Sequence, residues 1–551
     1  MIPIRLGPNK EVTGPRLVFG YLGMFMIFIG LITAFPLALL AFYPDEFASW
    51  FCFAVPALAD IVLGIILYFA LIHGRKRSRF LRYEEGMLLT LIWFVAILSG
   101  AFPFFIAHLQ GHSAMNFSSS FFESASAYTS TGLTAFDSFV DLPDAFAPHV
   151  MSFHRAGMQF IGGIGLILVL SSLLGGQNGT ALYVSEGHND KLLPNLSRSA
   201  RLIFGIYSLY TVLGAIALFL AGMDPFDAIC HSMCALAGGG MSTRSGNIYS
   251  FRAFDGLTTL NGIFPCSSLA IEIIIDVLVC LSAISFVLHV FLLTGKWRKF
   301  LRDDETRYML IVGFLSILVA FFSVLGYSYR AGISSSFFEN SGGALRDSSF
   351  YVIGSFTTSG FANTSGETLW NLGKPLLFIC TLLMLIGGGA GSTAGGLKIY
   401  RLILIAKQMR FSIVHRFESP HKKSPFLSYR HGKISEITDG QVIESFTYLA
   451  MYLIVYFVAV IIVCFLPEFN VENACFDVAS AIANVGTSLD DFVAYSSAYQ
   501  TSWLVLSWTL STVMILGRLE IIPILNAARN VRDEIDYSRK KRKALREMLG
   551  E

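Results

Sequence analysis

Apolar residues run along this chain in long blocks separated by short polar breaks, the spacing of helices that cross a bilayer. The blocks fall at Val18–Phe42, Trp50–Ile72, Met87–Ile106, Met151–Leu174 and Leu202–Ala221. They continue at Leu269–Leu293, Met309–Leu325, Pro375–Ile386, Phe446–Leu466 and Trp503–Leu525. A hydrocarbon core of ~30 Å needs ~20 residues of helix, so about ten spans are expected. A second pattern recurs four times between the blocks: a short apolar helix-like stretch ends in a loop of small residues, and another apolar block follows. The loops read Tyr128-Thr-Ser-Thr-Gly132-Leu-Thr, Ala237-Gly-Gly-Gly240-Met-Ser, Phe356-Thr-Thr-Ser-Gly360-Phe-Ala and Asn484-Val-Gly-Thr-Ser488-Leu. Helix, half-helix, Gly/Thr loop, helix is the order from which cation filters are built of backbone carbonyls. Four copies on one chain supply the walls of one pore.

Composition and charge sharpen this picture. Of 551 residues, 54% are hydrophobic and 14% charged, against roughly a quarter charged in soluble domains. Lys and Arg mark the cytoplasmic side of a membrane protein. Arg75, Lys76, Arg77, Arg79 and Arg82 follow the second block, and Lys296, Arg298, Lys299 and Arg302 follow the sixth. A basic stretch from Lys398 to Lys433 follows the eighth, and the tail adds Arg529, Arg532 and Arg539 to Lys543. The alternate loops are acidic, with Asp45, Glu46, Asp137, Asp141, Asp144, Glu468, Glu472, Asp490 and Asp491. Both termini are therefore expected in the cytoplasm, with the four small-residue loops opening outward. Met1 to Arg16 lacks a small-residue cleavage site after a short apolar core, so no removable signal is expected. The eight cysteines lie in or beside apolar blocks and read as small hydrophobes, including Cys230 and Cys234.

The order of elements divides the chain. Residues 1–83 form an accessory helix pair, 84–197, 198–304, 305–440 and 441–525 form four degenerate repeats, and 526–551 form a basic tail. The expected fold is all-α and polytopic, with helix–pore-loop–helix repeats around one pore. Glu123, Asp227 and Asp477 near the half-helix starts are read as dipole-stabilised acids, worth ~0.3–1 kcal/mol each. The eighth block is short and breaks into Gly387-Gly-Gly-Ala-Gly-Ser-Thr-Ala-Gly-Gly396. Glycine costs ~1 kcal/mol in a helix interior, so the helix ends there, at a depth where irregular backbone must be buried or line a cavity. A formal dinucleotide fingerprint at Gly389-x-Gly391-x-x-Ala394 lacks the preceding strand that such a site needs. Arg518 stands inside the last block; it either faces a cavity or snorkels to the headgroups, with Glu520 as a neighbour to pair with. Asp60, Glu272 and Asp276 are read as hydrogen-bonding between helices.

Several stretches together resemble the Trk/Ktr/HKT superfamily of potassium transporters, and within it the bacterial TrkH-type membrane subunits. They are Phe122-Glu-Ser-Ala-Ser-Ala-Tyr-Thr-Ser-Thr-Gly132, Gln159-Phe-Ile-Gly-Gly-Ile-Gly165, Phe226-Asp-Ala-Ile-Cys-His-Ser232 and Gly239-Gly-Met-Ser-Thr243. Further matches are Ser355-Phe-Thr-Thr-Ser-Gly-Phe361, Ala390-Gly-Ser-Thr-Ala-Gly-Gly-Leu-Lys398 and Leu516-Gly-Arg-Leu-Glu520. The resemblance implies potassium uptake across a bacterial cytoplasmic membrane by a homodimer, with a TrkA-type nucleotide-binding regulatory ring docked below. The chain itself is expected to bind no cofactor, to contact membrane lipid and to bind no nucleic acid. Carried over by position, the filter comprises Thr131, Gly132, Gly239, Gly240, Ser359, Gly360, Thr487 and Ser488. The potassium ion is then held by carbonyls of Thr131, Gly132, Gly240, Gly360 and Ser488. The gate comprises Gly387, Gly388, Gly389, Gly391, Ser392, Thr393, Gly395 and Gly396, with Arg518 as a cationic barrier.

The fourth loop departs from the family pattern, which usually has Gly-Pro-Gly-Leu where this chain has Gly486-Thr-Ser488-Leu489. A Ser-for-Gly exchange in one filter loop goes with sodium permeation in the plant branch, so a sodium-permeable or sodium-coupled transporter is the alternative. A membrane enzyme would need a concentrated acid, base or nucleophile set; His154 and Arg155 come nearest. A rocking transporter also uses broken helices but does not require four loops of this kind.

Overall fold

The computed structural model describes residues 12–75, 78–165, 196–330, 332, 341–364, 369, 372–415, 427–521, 529 and 532. The accessory pair is α1 (Pro15–Ala34) and α2 (Trp50–Leu71). Four copies of one plan follow: outer helix, half-helix, inner helix. They are α3 (Arg82–Leu109), α4 (Phe117–Tyr128) and α5 (Pro148–Ile164), then α6 (Leu196–Leu220), α7 (Pro225–Leu236) and α8 (Ser268–Ser282) with its continuation α9 (Phe286–Leu293). The third copy is α10 (Asp304–Arg330), α11 (Ser341–Thr357) and α12 (Lys374–Ile386), continued by α13 (Ile399–His415). The fourth is α14 (Asp439–Cys464), α15 (Val471–Ile482) and α16 (Gln500–Arg518).

Local chemistry starts these helices. Proline enters the first turn of α1, α5, α7 and α12, where its missing N–H costs no intrahelical bond. Asn116 accepts from Ser119 N at 3.0 Å to cap α4, and Asp224 accepts from Phe226 N at 2.9 Å to cap α7. Thr438 and Gln441 form a capping box on α14.

Six helices among the described residues are long and apolar enough to cross a bilayer. On α10, Leu310, Ile311, Phe314, Leu315, Leu318 and Val319 are all exposed, an apolar face that lipid covers. The half-helices are the reverse: on α4 every residue from Ser119 to Tyr128 is buried. They sit at the centre with the apolar spans around them.

Three further apolar blocks carry shorter helices, α5, α12 and α16, and parts of the fourth and tenth blocks lie outside the described residues, as does the tail apart from residues 529 and 532. The sixth block is bent by 114° between α8 and α9. Its break is tertiary in origin: Ala283 O accepts from Gly389 N at 3.0 Å, Ser282 O from Thr393 N at 3.2 Å, and Phe286 N donates to Gly391 O at 2.8 Å. The chain leaves the helix there to pair with the glycine-rich loop. The basic stretch after α13 contains a short antiparallel hairpin, β1 (Leu427–Arg430) and β2 (Lys433–Glu436), turned by His431 and Gly432 at φ 51° and 77°. Asp60 and Ser99 hydrogen-bond between α2 and α3. Glu272 accepts from Arg252, Arg346 and Asn363, joining the second and third copies; Asp276 makes no such bond among the described residues.

Candidate functional site

Each half-helix ends in the same turn. The amides of Thr131, Gly239, Ser359 and Val485 donate to the carbonyls five residues back, Ser126, Cys234, Gly354 and Ser480, at 2.8, 3.0, 2.9 and 2.8 Å. The residue before each is left-handed: Ser130, Gly238, Thr358 and Asn484 have φ 57°, 73°, 56° and 54°. The residue after each is glycine, namely Gly132, Gly240, Gly360 and Gly486.

These four glycines meet. A Cβ on Gly132 would stand 3.0 Å from Gly240 N, and one on Gly240 would press on the Gly360 backbone. One on Gly360 would lie 3.0 Å from Gly486 Cα, and one on Gly486 would lie 2.8 Å from Gly132 Cα. The contacts close a cycle, one glycine per repeat, with no room for any side chain.

Gly486 therefore stands where Ser488 was expected. Thr487-Ser488-Leu489 imitates Thr131-Gly132-Leu133 in sequence, which shifts the fourth loop by two residues, but the hydrogen-bond register after the helix decides the match. Val485, not Thr487, is the counterpart of Thr131, Gly239 and Ser359. Ser488 lies beyond the ring, donating to Asp490 O at 2.8 Å and accepting from Asp490 N at 3.1 Å.

Of the half-helix acids, Asp227 lies in the first turn of α7 as expected, and the other two have another job. Glu123 and Asp477 lie mid-helix, at the register shared by His231 and Tyr351, and all four tie down the chain as it leaves the ring. Glu123 accepts from Ala135 N at 2.9 Å and Asp477 from Leu489 N at 3.0 Å, each three residues beyond the ring glycine. His231 Nδ1 donates to Asp227 O at 2.7 Å, which leaves Nε2 to accept from Ser242 Oγ at 2.9 Å. Tyr351 OH meets Thr364 Oγ1 at 2.7 Å. Asp227 binds Thr243 and Arg244 beyond the second loop.

Arg155 completes this collar. It is buried, with its Nε 2.7 Å from Glu123 Oε1, its Nη1 2.9 Å from Ser242 O and its Nη2 3.0 Å from Thr134 Oγ1. It thus joins the first loop to the second. His154 bonds Gly100 O at 3.1 Å, so the pair is structural and forms no acid–base set. A charge inside the apolar fourth block was the available signal for Arg155; its partner was hidden 32 residues away.

The Gly387–Gly396 loop packs against the half-helix side of the ring. Gly395 N donates to Thr358 Oγ1 at 2.7 Å, and Thr393 Oγ1 lies 3.2 Å from Leu236 O, at the end of α7. Ser392 Oγ closes the turn on Gly389 O at 2.7 Å. Gly387 is left-handed at φ 72°, and a Cβ there would lie 2.8 Å from Gly396 Cα, so Gly387 and Gly396 form the pinched neck of the loop. Gly388 accepts from Ile399 N at 3.0 Å. The Arg518 guanidinium turns inward: Nη1 donates to Thr393 O at 2.9 Å, and Nη2 to Gly162 O and Gly163 O at 2.5 and 2.9 Å. This geometry is that of a cavity-facing arginine. Glu520 is engaged elsewhere, with Arg401 at 2.8 Å. A cavity of about 280 Å³ opens beside the loop, lined by Gly391, Ser392, Lys398, Arg401, Glu520 and Arg518 among others.

The loop is anchored to the chain's basic side as well. Glu305 Oε2 accepts from Ala390 N at 2.8 Å while its Oε1 accepts from Arg430 Nε of the hairpin at 2.7 Å. Asp304 accepts from Tyr429 N at 3.0 Å and Asp303 from His431 N at 2.8 Å. Among the described residues no three His, Cys, Asp or Glu side chains converge as metal ligands.

Comparison with known proteins places the chain in a family. Residues 59–535 match the TrkH cation transport protein family. The chain is 30% identical to the Trk system potassium uptake protein TrkH of Halomonas elongata over 93% of its own length and 97% of the relative's. It is 29% identical to an uncharacterised cation transporter of Methanocaldococcus jannaschii, covering 94% of this chain and 95% of that one. The crystal structure of the potassium transporter TrkH from Vibrio parahaemolyticus superposes with a TM-score of 0.74 at 25% identity, over 93% of this chain and 98% of that one. The chain is an integral membrane protein of the TrkH family of cation transport proteins.

Proposed function

We propose that this chain takes up potassium through the glycine ring, which acts as its selectivity filter, and that the Gly387–Gly396 loop with Arg518 is its gate. The observation that carries the reading is the closed cycle of Gly132, Gly240, Gly360 and Gly486, each at the C-terminal end of a half-helix. Helix C-termini carry partial negative charge, and carbonyls in a ring replace a cation's hydration shell. The potassium uptake proteins among the relatives support the choice of ion. The sodium-permeable alternative rests on serine in the ring, and Gly486 in that place supports the potassium reading instead.

Arg518 supports the gate reading. A unit charge in a constriction repels a cation at ~4 Å by ~4 kcal/mol at an effective dielectric of ~20, enough to close the path until the loop and arginine move together. The Arg430–Glu305–Ala390 connection gives a cytoplasmic partner a handle on that loop, and a TrkA-type ring below a homodimer in the bacterial cytoplasmic membrane fits it. Both termini then lie in the cytoplasm.

Expression in a bacterium deficient in potassium uptake tests the function. The chain should restore growth on low potassium, and Gly360→Val should abolish it at unchanged expression; normal growth of that variant would sink the filter assignment. Arg518→Ala should raise liposome flux in the absence of any regulatory ring. Flux at the wild-type level from folded protein would move the gate elsewhere.

A further inference from the structure

The ring is not chemically symmetric. Gly132, Gly360 and Gly486 have left-handed backbones at φ 105°, 66° and 103°, and Gly240 does not. Gly240 differs in its carbonyl too: Asn247 Nδ2 donates to it at 2.9 Å. Among the described residues, no side chain donates to the carbonyl of Gly132, Gly360 or Gly486.

Asn247 is itself held firmly. It has φ 55°, and its Oδ1 accepts from Ile248 N at 2.9 Å and from Ala362 N at 3.5 Å. Beside it, Tyr249 N donates to Ala362 O at 3.2 Å. Ala362 lies two residues beyond Gly360, so one amide side chain spans the second and third walls on the side of the ring away from the half-helices.

We infer that Asn247 is a specificity-determining positioning residue: its amide pins the Gly240 carbonyl and occupies one of its two lone pairs. The inference rests on the ring being the filter. Selectivity among alkali cations depends on how many carbonyl dipoles face the ion, how strong they are and how freely they move. A carbonyl has two acceptor sites. With one taken by Asn247, Gly240 cannot swing inward to follow a smaller, more strongly hydrated ion. The second wall then favours potassium over sodium by resisting collapse.

Two substitutions separate the amide from its backbone setting. Asn247→Gly tolerates the left-handed conformation and deletes the side chain. Asn247→Asp keeps the acceptor for Ile248 and Ala362 but has no donor for Gly240. A single neutral hydrogen bond is worth about two- to tenfold in an equilibrium, so both variants should lower the potassium-to-sodium permeability ratio about two- to tenfold. Reversal potentials of the full chain in reconstituted membranes give that ratio, with Gly360→Ala as a parallel arm. If Gly360→Ala changes the ratio and neither Asn247 variant does, the inference falls and the filter stands. If none of the three changes it, the filter reading falls and takes the inference with it. Thermal unfolding of the purified protein in potassium against sodium salts gives a readout independent of conduction. Asn247→Gly should narrow the difference between the two ions. An equal loss of stability in both salts would mean a merely structural side chain and would overturn the proposal.

Discussion

Gly486 and Ser488 lie two residues apart, and exchanging their chemistry separates a ring position from a bystander. In Gly486→Ala the new Cβ would stand 2.8 Å from Gly132 Cα and 2.9 Å from Gly132 C, and it would press on the Thr131 carbonyl. Carbon atoms in contact prefer about 3.5 Å or more, so the first wall must retreat by roughly 0.7 Å. The backbone at φ 103° is also one that an L side chain strains to adopt. Backbone strain of about 1–3 kcal/mol and overpacking of about 1–3 kcal/mol together give about 2–6 kcal/mol. Even the low end exceeds the 1.4 kcal/mol that changes an equilibrium about tenfold, and it acts on two of the four walls. Ser488→Gly instead removes two hydrogen bonds to Asp490, each worth about 0.5–1.5 kcal/mol of stability, and leaves the ring untouched. The expected outcome is a potassium-to-sodium permeability ratio that falls about tenfold or more in Gly486→Ala and stays at the wild-type value in Ser488→Gly. Reversal potentials under paired potassium and sodium gradients measure it, with purified yield as the control for folding. A ratio that moves with Ser488 and ignores Gly486 would refute the assignment of Gly486 as the fourth member of the ring.

Two further expectations concern the scaffold. The Arg155–Glu123 pair is almost wholly buried, with side chains 1% and 0% exposed, so Arg155→Met should cost about 3–5 kcal/mol by stranding the carboxylate; the double variant with Glu123→Gln should recover much of that loss in thermal unfolding. Arg430→Ala should cut the link from the hairpin through Glu305 to Ala390 N, weakening the response of flux to the proposed regulatory ring while the permeability ratio stays unchanged.

Hydrophobic spacing carried the helical class, six of the ten expected spans among the described residues and the four half-helices, and the glycine run gave the place where the eighth block breaks. Each of these depends on ~20 residues or fewer of adjacent chain, because helix formation and transfer into lipid are local events. Family membership was legible for the same reason, in short motifs such as Ala390–Lys398 and Leu516–Glu520. What sequence reading misplaced were relations between distant residues. Ser488 looked like the fourth ring position because its neighbours copy the first loop, yet only the packing of Gly486 on Gly132 selects the register. Glu123 and Asp477 looked like dipole acids until the chain returned from the ring onto them. The bend in the sixth block and the inward turn of Arg518 depend on backbone groups of the glycine-rich loop and of α5, more than 100 residues away in sequence. Backbone polar groups held out of water must find partners, and which partners they find is decided only when the four repeats close around one axis.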